Sequence, residues 1–141
     1  MATVVFLCVH NAGRSQMAAA WAEVLGDGRV TVSSGGSDPA GGLNPVVVQA
    51  MAEVGIDIAY RRPRRWNEDD IRDADVIVTM GCGDTCPVFP GKRYEDWDVD
   101  DPAGLAIDRV REIRDDIRER VWRLFEELDP DSGRPSYSTN L

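Results

Sequence analysis

The stretch VVFLCVHNAGRS, residues 4–15, decides the fold because it joins a predicted strand to a predicted helix. Residues Thr3 to Val9 form a continuous apolar run rich in β-branched side chains, which predicts a strand covered on both faces. Residues Ser15 to Leu25 predict a helix that ends at the following glycines. Its predicted buried side carries Met17, Ala20, Trp21, Val24 and Leu25. The loop between strand and helix therefore holds the Cys8 thiol and the Arg14 guanidinium.

This loop has the features of a reactive thiol site. Arg14 supplies a fixed positive charge, and the N-terminus of the following helix points unpaired amides at the loop, so both favour the thiolate form of Cys8. The same groups could hold a tetrahedral oxyanion over the sulfur. Ser15 could donate a hydrogen bond to the thiolate while capping the helix. A cysteine that ends a buried strand can instead be a small packing residue, but the order of strand, loop and helix favours the reactive interpretation.

The rest of the chain continues the alternation of strands and helices. Further strands are predicted over Arg29 to Ser34, Ala74 to Thr79 and Lys92 to Trp97, and further helices over Pro45 to Val54, Glu68 to Arg72 and Ile107 to Leu128. Asn44 is the predicted cap of the helix that begins at Pro45. This order predicts an α/β fold with a parallel sheet and helices on both sides. Ligands of such sheets bind beyond the carboxyl ends of the strands, where the Cys8 loop, Cys82 and the acidic loop Asp98 to Asp101 should meet.

Composition limits the classes of partner. The chain has 141 residues and a net charge of −9, which argues against nucleic acid or an anionic membrane as a partner. No segment is long and apolar enough for a signal peptide or a membrane span, so we expect a cytoplasmic protein whose three cysteines are reactive or reduced. We expect one catalytic domain over residues 1–130, a flexible tail over residues 131–141, and a monomer.

Two separate motifs resemble a known family. The Cys8 loop together with Asp101-Pro102 resembles the low-molecular-weight protein tyrosine phosphatase superfamily. Within it, the sequences HNAGRSQMA, residues 10–18, and MGCGDTCP, residues 80–87, are similar to the thiol-dependent arsenate reductases. The resemblance implies a three-layer sandwich with a four-stranded parallel sheet flanked by helices.

The resemblance also implies roles for single residues. Cys8 would be the nucleophile, Ser15 the residue that stabilises its thiolate, and Asp101 the general acid that protonates the departing oxygen. The oxyanion would be bound by the loop residues Val9, His10, Asn11, Ala12, Gly13, Arg14 and Ser15, among which Asn11 would organise the loop. Asp100 is a competing general acid, although Pro102 favours Asp101 because it stiffens the turn.

Two further cysteines point to arsenate reduction. In the implied relay, Cys82 attacks Cys8 and releases arsenite, Cys86 attacks Cys82, and thioredoxin reduces the resulting disulfide. An alternative route uses Cys8 alone, with mycothiol taking up the arsenic and mycoredoxin completing the reduction. A tyrosine phosphatase is a second alternative, but Ala103 and Gly104 stand where such enzymes carry aromatic residues. A third alternative is a noncatalytic protein that binds an oxyanion or senses oxidation. Asp101-Pro102 argues against it, because such a protein does not need a proton donor.

Two other groups of residues remain open to more than one interpretation. The basic segment Arg61-Arg62-Pro63-Arg64-Arg65 is either a solvated loop or a patch that attracts an anionic substrate or an acidic redox partner. Cys8, His10, Cys82 and Cys86 could in principle bind zinc, but the loop suits an anion better. We therefore expect no metal and no bound cofactor, with the reducing equivalents coming from thioredoxin or mycothiol.

Overall fold

Strands and helices alternate along residues 2–81 and 90–128, which are the residues that the computed structural model describes. The elements are β1 (Ala2–Cys8), α1 (Arg14–Gly26), β2 (Val30–Gly36), α2 (Pro45–Glu53), α3 (Glu68–Asp73), β3 (Val76–Thr79), β4 (Arg93–Asp96) and α4 (Ile107–Leu128). Each strand and helix predicted from the sequence is present, and no end differs from its prediction by more than two residues.

The four strands form one sheet in the order β2-β1-β3-β4, and every neighbouring pair is parallel. The side chains of β1 alternate between two buried clusters, because successive residues of a strand point to opposite faces. Val4, Phe6 and Cys8 belong to the cluster that also contains residues of α1, α2 and α4. Val5 and Leu7 belong to the second cluster, with Ile71 of α3. The predicted three-layer α/β architecture is therefore confirmed.

The helix ends follow local sequence signals only in part. Asn44 caps α2 as predicted, since its side chain accepts a hydrogen bond from the Val46 amide and Pro45 occupies the first helical position. The prediction for Ser15 as a cap is wrong. Helix α1 begins at Arg14, its cap position is Gly13, and no side chain caps it. Val24 was expected on the buried side of α1, but it lies with Glu23 on the exposed side of the helix, whereas Trp21 and Leu25 are buried.

Within residues 2–81 and 90–128, none of the helices is both long and apolar enough to cross a membrane. The predicted tail of residues 131–141 lies outside the described residues, and so do Cys82 and Cys86.

Candidate active site

The candidate site lies at the carboxyl edge of the sheet, where β1 ends at Cys8. The register of the sheet pairs Cys8 with Gly36 at the end of β2, and Leu7 with Thr79 at the end of β3. Residues 9–13, which we call the cysteine loop, then connect β1 to α1. The thiol and the first turn of α1 therefore face each other across a short loop.

Among the described residues, the sulfur of Cys8 has one close polar neighbour. Its Sγ lies 2.9 Å from Oγ of Ser15, and both residues are buried. Oγ of Ser15 also accepts a hydrogen bond of 2.7 Å from Nδ2 of Asn11. Because this bond occupies an acceptor position of the hydroxyl, the hydroxyl proton of Ser15 is free to be donated to the sulfur. The contact between Ser15 and Cys8 expected from the sequence is therefore present.

Asn11 connects the cysteine loop to three other parts of the molecule. It is fully buried and has a φ of 51°, a left-handed conformation that asparagine tolerates better than most residues. Its Oδ1 accepts from Nε2 of Gln16 at 3.0 Å and from the Arg64 amide at 3.0 Å. Its Nδ2 also lies 3.2 Å from Oγ of Ser34. These bonds fix the unusual backbone conformation from both sides.

Sequence reasoning did not identify Gln16 and Ser34 as part of the site. Gln16 is buried, and its Nε2 lies within hydrogen-bond distance of Oδ1 and the carbonyl oxygen of Asn11 and of the Arg62 carbonyl. Gln16 stands next to the motif, but only the folded chain shows that it turns back to the loop. Ser34 lies on β2, far away in sequence, and no local signal marks it.

The carbonyl groups of the loop bond to the segment that follows β2. The carbonyls of Val9, His10 and Ala12 accept from the amides of Asp38, Ala40 and Asn44, respectively. Nδ1 of the exposed His10 lies 3.0 Å from the Asp38 carbonyl, so it carries the proton in this contact. Within residues 2–81 and 90–128, no amide of residues 9–13 donates a hydrogen bond. A row of amides without acceptors is what an oxyanion site requires.

Arg14 lies at the junction of the cysteine loop and a second loop, residues 98–102, which we call the acid loop. Its side chain is mostly buried, with Nη1 3.4 Å from the Val99 carbonyl oxygen and Nη2 3.7 Å from Oδ2 of Asp101. Oδ1 of Asp101 accepts from the Ala103 amide at 3.0 Å. The neighbouring Asp100 turns away and pairs with Arg109 of α4. Of the two candidate acids, Asp101 is therefore the one beside Arg14.

The acid loop also touches the cysteine loop directly. A Cβ atom added to Gly13 would lie 2.8 Å from Cγ of Pro102. Glycine at position 13 thus lets the proline ring pack against the backbone of the cysteine loop. This contact holds Asp101 close to Arg14.

Arginine side chains of the basic segment, residues 61–65, form ion pairs and hydrogen bonds with other parts of the protein. Arg61 pairs with Glu23, and Arg64 pairs with Asp70 at 2.6 Å. Nη1 of Arg65 donates to the Ser37 carbonyl at 2.8 Å, and its guanidinium stacks over the ring of Trp66. These contacts favour a structural role for the segment over a patch of free positive charge.

Cys82 and Cys86, the two remaining predicted site residues, lie outside the described residues. Within the part of the chain that the structure describes, no three His, Cys, Asp or Glu side chains are grouped as a metal site would need.

Comparisons with known proteins agree with this geometry. A family model described as low molecular weight phosphotyrosine protein phosphatase matches residues 3–134. A putative arsenate reductase of Halobacterium salinarum is 42% identical over 89% of this chain and 92% of its own length. A glutaredoxin arsenate reductase of Synechocystis sp. is 34% identical over 91% of this chain and 99% of its own length.

A solved structure has the same fold. It is titled as a thioredoxin-dependent arsenate reductase of Corynebacterium glutamicum and superposes with a TM-score of 0.81 at 38% identity. The match covers 94% of this chain and 64% of the Corynebacterium chain, so this chain spans less than two thirds of that neighbour.

Proposed function

Because the chain belongs to the low molecular weight phosphotyrosine protein phosphatase family, we propose that it is an arsenate reductase with Cys8 as its nucleophile. The relatives and the structural neighbour named above carry this activity in their names. The proposed catalytic unit is the single domain of residues 1–130. We place it in the cytoplasm, where thiols stay reduced.

One structural observation carries the proposal. The Cys8 sulfur is hydrogen-bonded to Ser15 at the base of a loop whose amides have no acceptor among the described residues, with Arg14 at its rim. A thiolate nucleophile, an oxyanion site and an adjacent carboxyl group are the parts that displacement of oxygen from a tetrahedral anion needs.

In the proposed reaction, arsenate binds to the amides of residues 9–13 and to Arg14. The Cys8 thiolate attacks the arsenic atom, and a protonated Asp101 gives its proton to the departing hydroxide, which leaves as water. A second thiolate then attacks the Cys8 sulfur. The bond between sulfur and arsenic breaks, the electron pair stays on arsenic, and arsenite leaves. One arsenate and two thiols thus give arsenite, water and a disulfide.

The second thiol is the finer part of the proposal. We assign it to Cys82, with Cys86 forming the final disulfide that thioredoxin reduces. The thioredoxin-dependent title of the Corynebacterium neighbour supports this donor for the present chain. The alternative is a route through mycothiol and mycoredoxin that needs Cys8 alone. The Synechocystis relative, named for glutaredoxin, shows that donors differ within the family.

Phosphate hydrolysis is the second candidate function, because the family description names a phosphatase. The residues that follow Asp101-Pro102 argue against a pocket for an aromatic ring. Ala103 and Gly104 are both exposed and offer no ring to stack on a phenyl group. We therefore propose at most slow hydrolysis of small aryl phosphates.

The test measures arsenite formed from arsenate with thioredoxin, thioredoxin reductase and NADPH, and then with mycothiol and mycoredoxin. Cys8→Ser should abolish arsenite formation with either donor. Cys82→Ser and Cys86→Ser should abolish it with thioredoxin. Activity that survives both of these changes would overturn the relay but leave Cys8 as the nucleophile. Hydrolysis of p-nitrophenyl phosphate without any arsenite would overturn the reductase proposal.

A further inference from the structure

Gly81, the residue after Met80 at the carboxyl end of β3, lies directly against the Arg14 guanidinium. A Cβ atom added at position 81 would overlap Nη1 of Arg14 and lie 3.2 Å from its Cζ and 3.4 Å from its Nη2. We propose that Gly81 is a positioning residue that sets where the Arg14 guanidinium stands, and so sets the affinity of the site for the oxyanion. The inference rests on the proposed function for the role of Arg14.

The guanidinium is confined on its other sides as well. Nη1 approaches the Val99 carbonyl, and Nη2 approaches the Asp101 carboxylate. The Arg14 side chain is only 11% exposed. The guanidinium is therefore in contact with the acid loop and with the backbone of Gly81 at the same time. The lack of a Cβ atom at position 81 is what allows Nη1 to occupy its observed position.

A side chain at position 81 should move Arg14 rather than unfold the protein. The atoms it would meet are the far end of a long side chain, which can swing away, and not a rigid backbone segment. When Arg14 swings away, it leaves the edge of the cysteine loop. The loss should therefore appear in anion binding, because a charge-assisted hydrogen bond to an oxyanion depends on short distance and correct direction.

The chain offers a matched control for the backbone strain. Gly81 has a φ of 79°, a left-handed conformation that costs alanine free energy wherever it occurs. Gly55 has a φ of 83°, and a Cβ atom there would meet nothing within 4 Å. Gly55→Ala thus introduces the same strain as Gly81→Ala without the contact with Arg14.

The experiment measures binding of inorganic phosphate and of arsenate by calorimetry, and the KM and kcat for arsenate, for the wild type and for Gly81→Ala and Gly55→Ala. Gly81→Ala should weaken binding of both anions by about tenfold or more, and should raise KM more than it lowers kcat. Gly55→Ala should bind both anions like the wild type. The thermal midpoints of the two variants should agree.

Repeating both glycine changes in an Arg14→Ala background tests whether the effect passes through Arg14. Gly81→Ala should then cause no further loss of phosphate binding. If Gly81→Ala alone is less stable than Gly55→Ala, the difference should disappear in this background.

Three results would overturn the inference. They are wild-type anion affinity in Gly81→Ala, a further loss of affinity in the Arg14→Ala background, and a stability difference that persists in that background. A wild-type protein that binds neither phosphate nor arsenate would instead overturn the proposed function, and the inference with it.

Discussion

The cysteine loop and the acid loop meet at Arg14, but they are held in place by different kinds of interaction. The cysteine loop is held by hydrogen bonds among the buried, uncharged side chains of Asn11, Ser15 and Gln16. In the acid loop Val99 and Pro102 are buried, but the polar contacts are made by exposed groups. Asp100 pairs with Arg109 of α4, and the Asp98 carbonyl accepts from Arg120 at 3.1 Å.

This difference has consequences for stability and for catalysis. A buried polar group that loses its partner stays without a hydrogen bond, because water cannot reach it, and this destabilises the fold. The charges of an exposed ion pair, in contrast, are hydrated by water when the pair opens. Salt also weakens exposed pairs far more than buried hydrogen bonds. The proposed nucleophile and oxyanion site are therefore held by buried hydrogen bonds, whereas the side chain of the proposed proton donor, Asp101, makes its polar contacts at the surface.

Asn11→Ala tests the buried network and should have the largest effect on stability. It removes one acceptor of Gln16 and the side-chain acceptor of the Arg64 amide, and it places alanine in a left-handed conformation. We expect a loss of about 3 kcal/mol in the free energy of unfolding, measured by urea denaturation. Asn44→Ala removes a single capping bond and should cost only about 1 kcal/mol. Equal losses in the two variants would show that the network adds nothing beyond one hydrogen bond.

Asp101→Asn tests the acid loop and should slow arsenate turnover by about a hundredfold or more, because the amide cannot deliver a proton. Asp100→Asn opens only the exposed pair with Arg109 and should slow turnover by less than about fivefold. Single-turnover arsenite release from both variants, with phosphate affinity measured beside it, gives the comparison. Phosphate affinity should not fall in Asp101→Asn, since asparagine has nearly the same shape and brings no negative charge to the position beside Arg14. A larger loss in Asp100→Asn would reverse the assignment.

The sequence predicts the sheet and the reactive loop well because both depend on local patterns. The buried run of β1, the period of α4 and the order of strand, loop and helix are visible along the chain. The placement of Asp101 beside Arg14 follows a motif, and the structure brings the two together. The contacts that hold the loop could not be predicted in the same way. Gln16, Ser34 and the Arg64 amide meet Asn11 only after distant segments have packed.

The wrong prediction of the Ser15 cap and the open alternative for the basic segment have the same physical origin. Ser15 looked like a helix cap, but α1 begins one residue earlier, so its hydroxyl faces Cys8 inside the first turn. The basic segment allowed the interpretation of a free charged patch because its acidic partners are not close in sequence. Glu23 lies on α1 and Asp70 on α3. In both cases the sequence shows a polar or charged side chain, but the group that it bonds to is brought close only by the fold.

Ion pairs also join α2 to α4, through Glu53 on α2 and two arginines on α4. Nε and Nη2 of Arg111 donate to the two carboxylate oxygens of Glu53 at 2.8 and 2.6 Å, and Nη1 of Arg114 donates to Oε1 at 3.1 Å. The hydrogen bonds from Arg111 are the main reason that the pKa of Glu53 lies below its usual value, although desolvation acts in the opposite direction. A carboxyl group with a lowered pKa stabilises the folded state above its ordinary pKa, and this contribution is lost as the pH falls through the lowered value.

Glu53→Gln should therefore lower the thermal midpoint only slightly at neutral pH, by much less than Asn11→Ala, because the groups of the Glu53–Arg111 pair remain partly exposed to water. The difference between wild type and variant should stay constant above the ordinary carboxyl pKa of about 4.5 and should shrink as the pH falls below it and through the lowered pKa of the folded protein. It should also shrink in high salt, whereas the difference caused by Asn11→Ala should not. A Glu53→Gln difference that stays constant with both pH and salt would mean that shape and hydrogen bonding, rather than charge, join α2 to α4. In that case the contacts between α2 and α4 would resemble the buried hydrogen bonds of the cysteine loop more than exposed ion pairs.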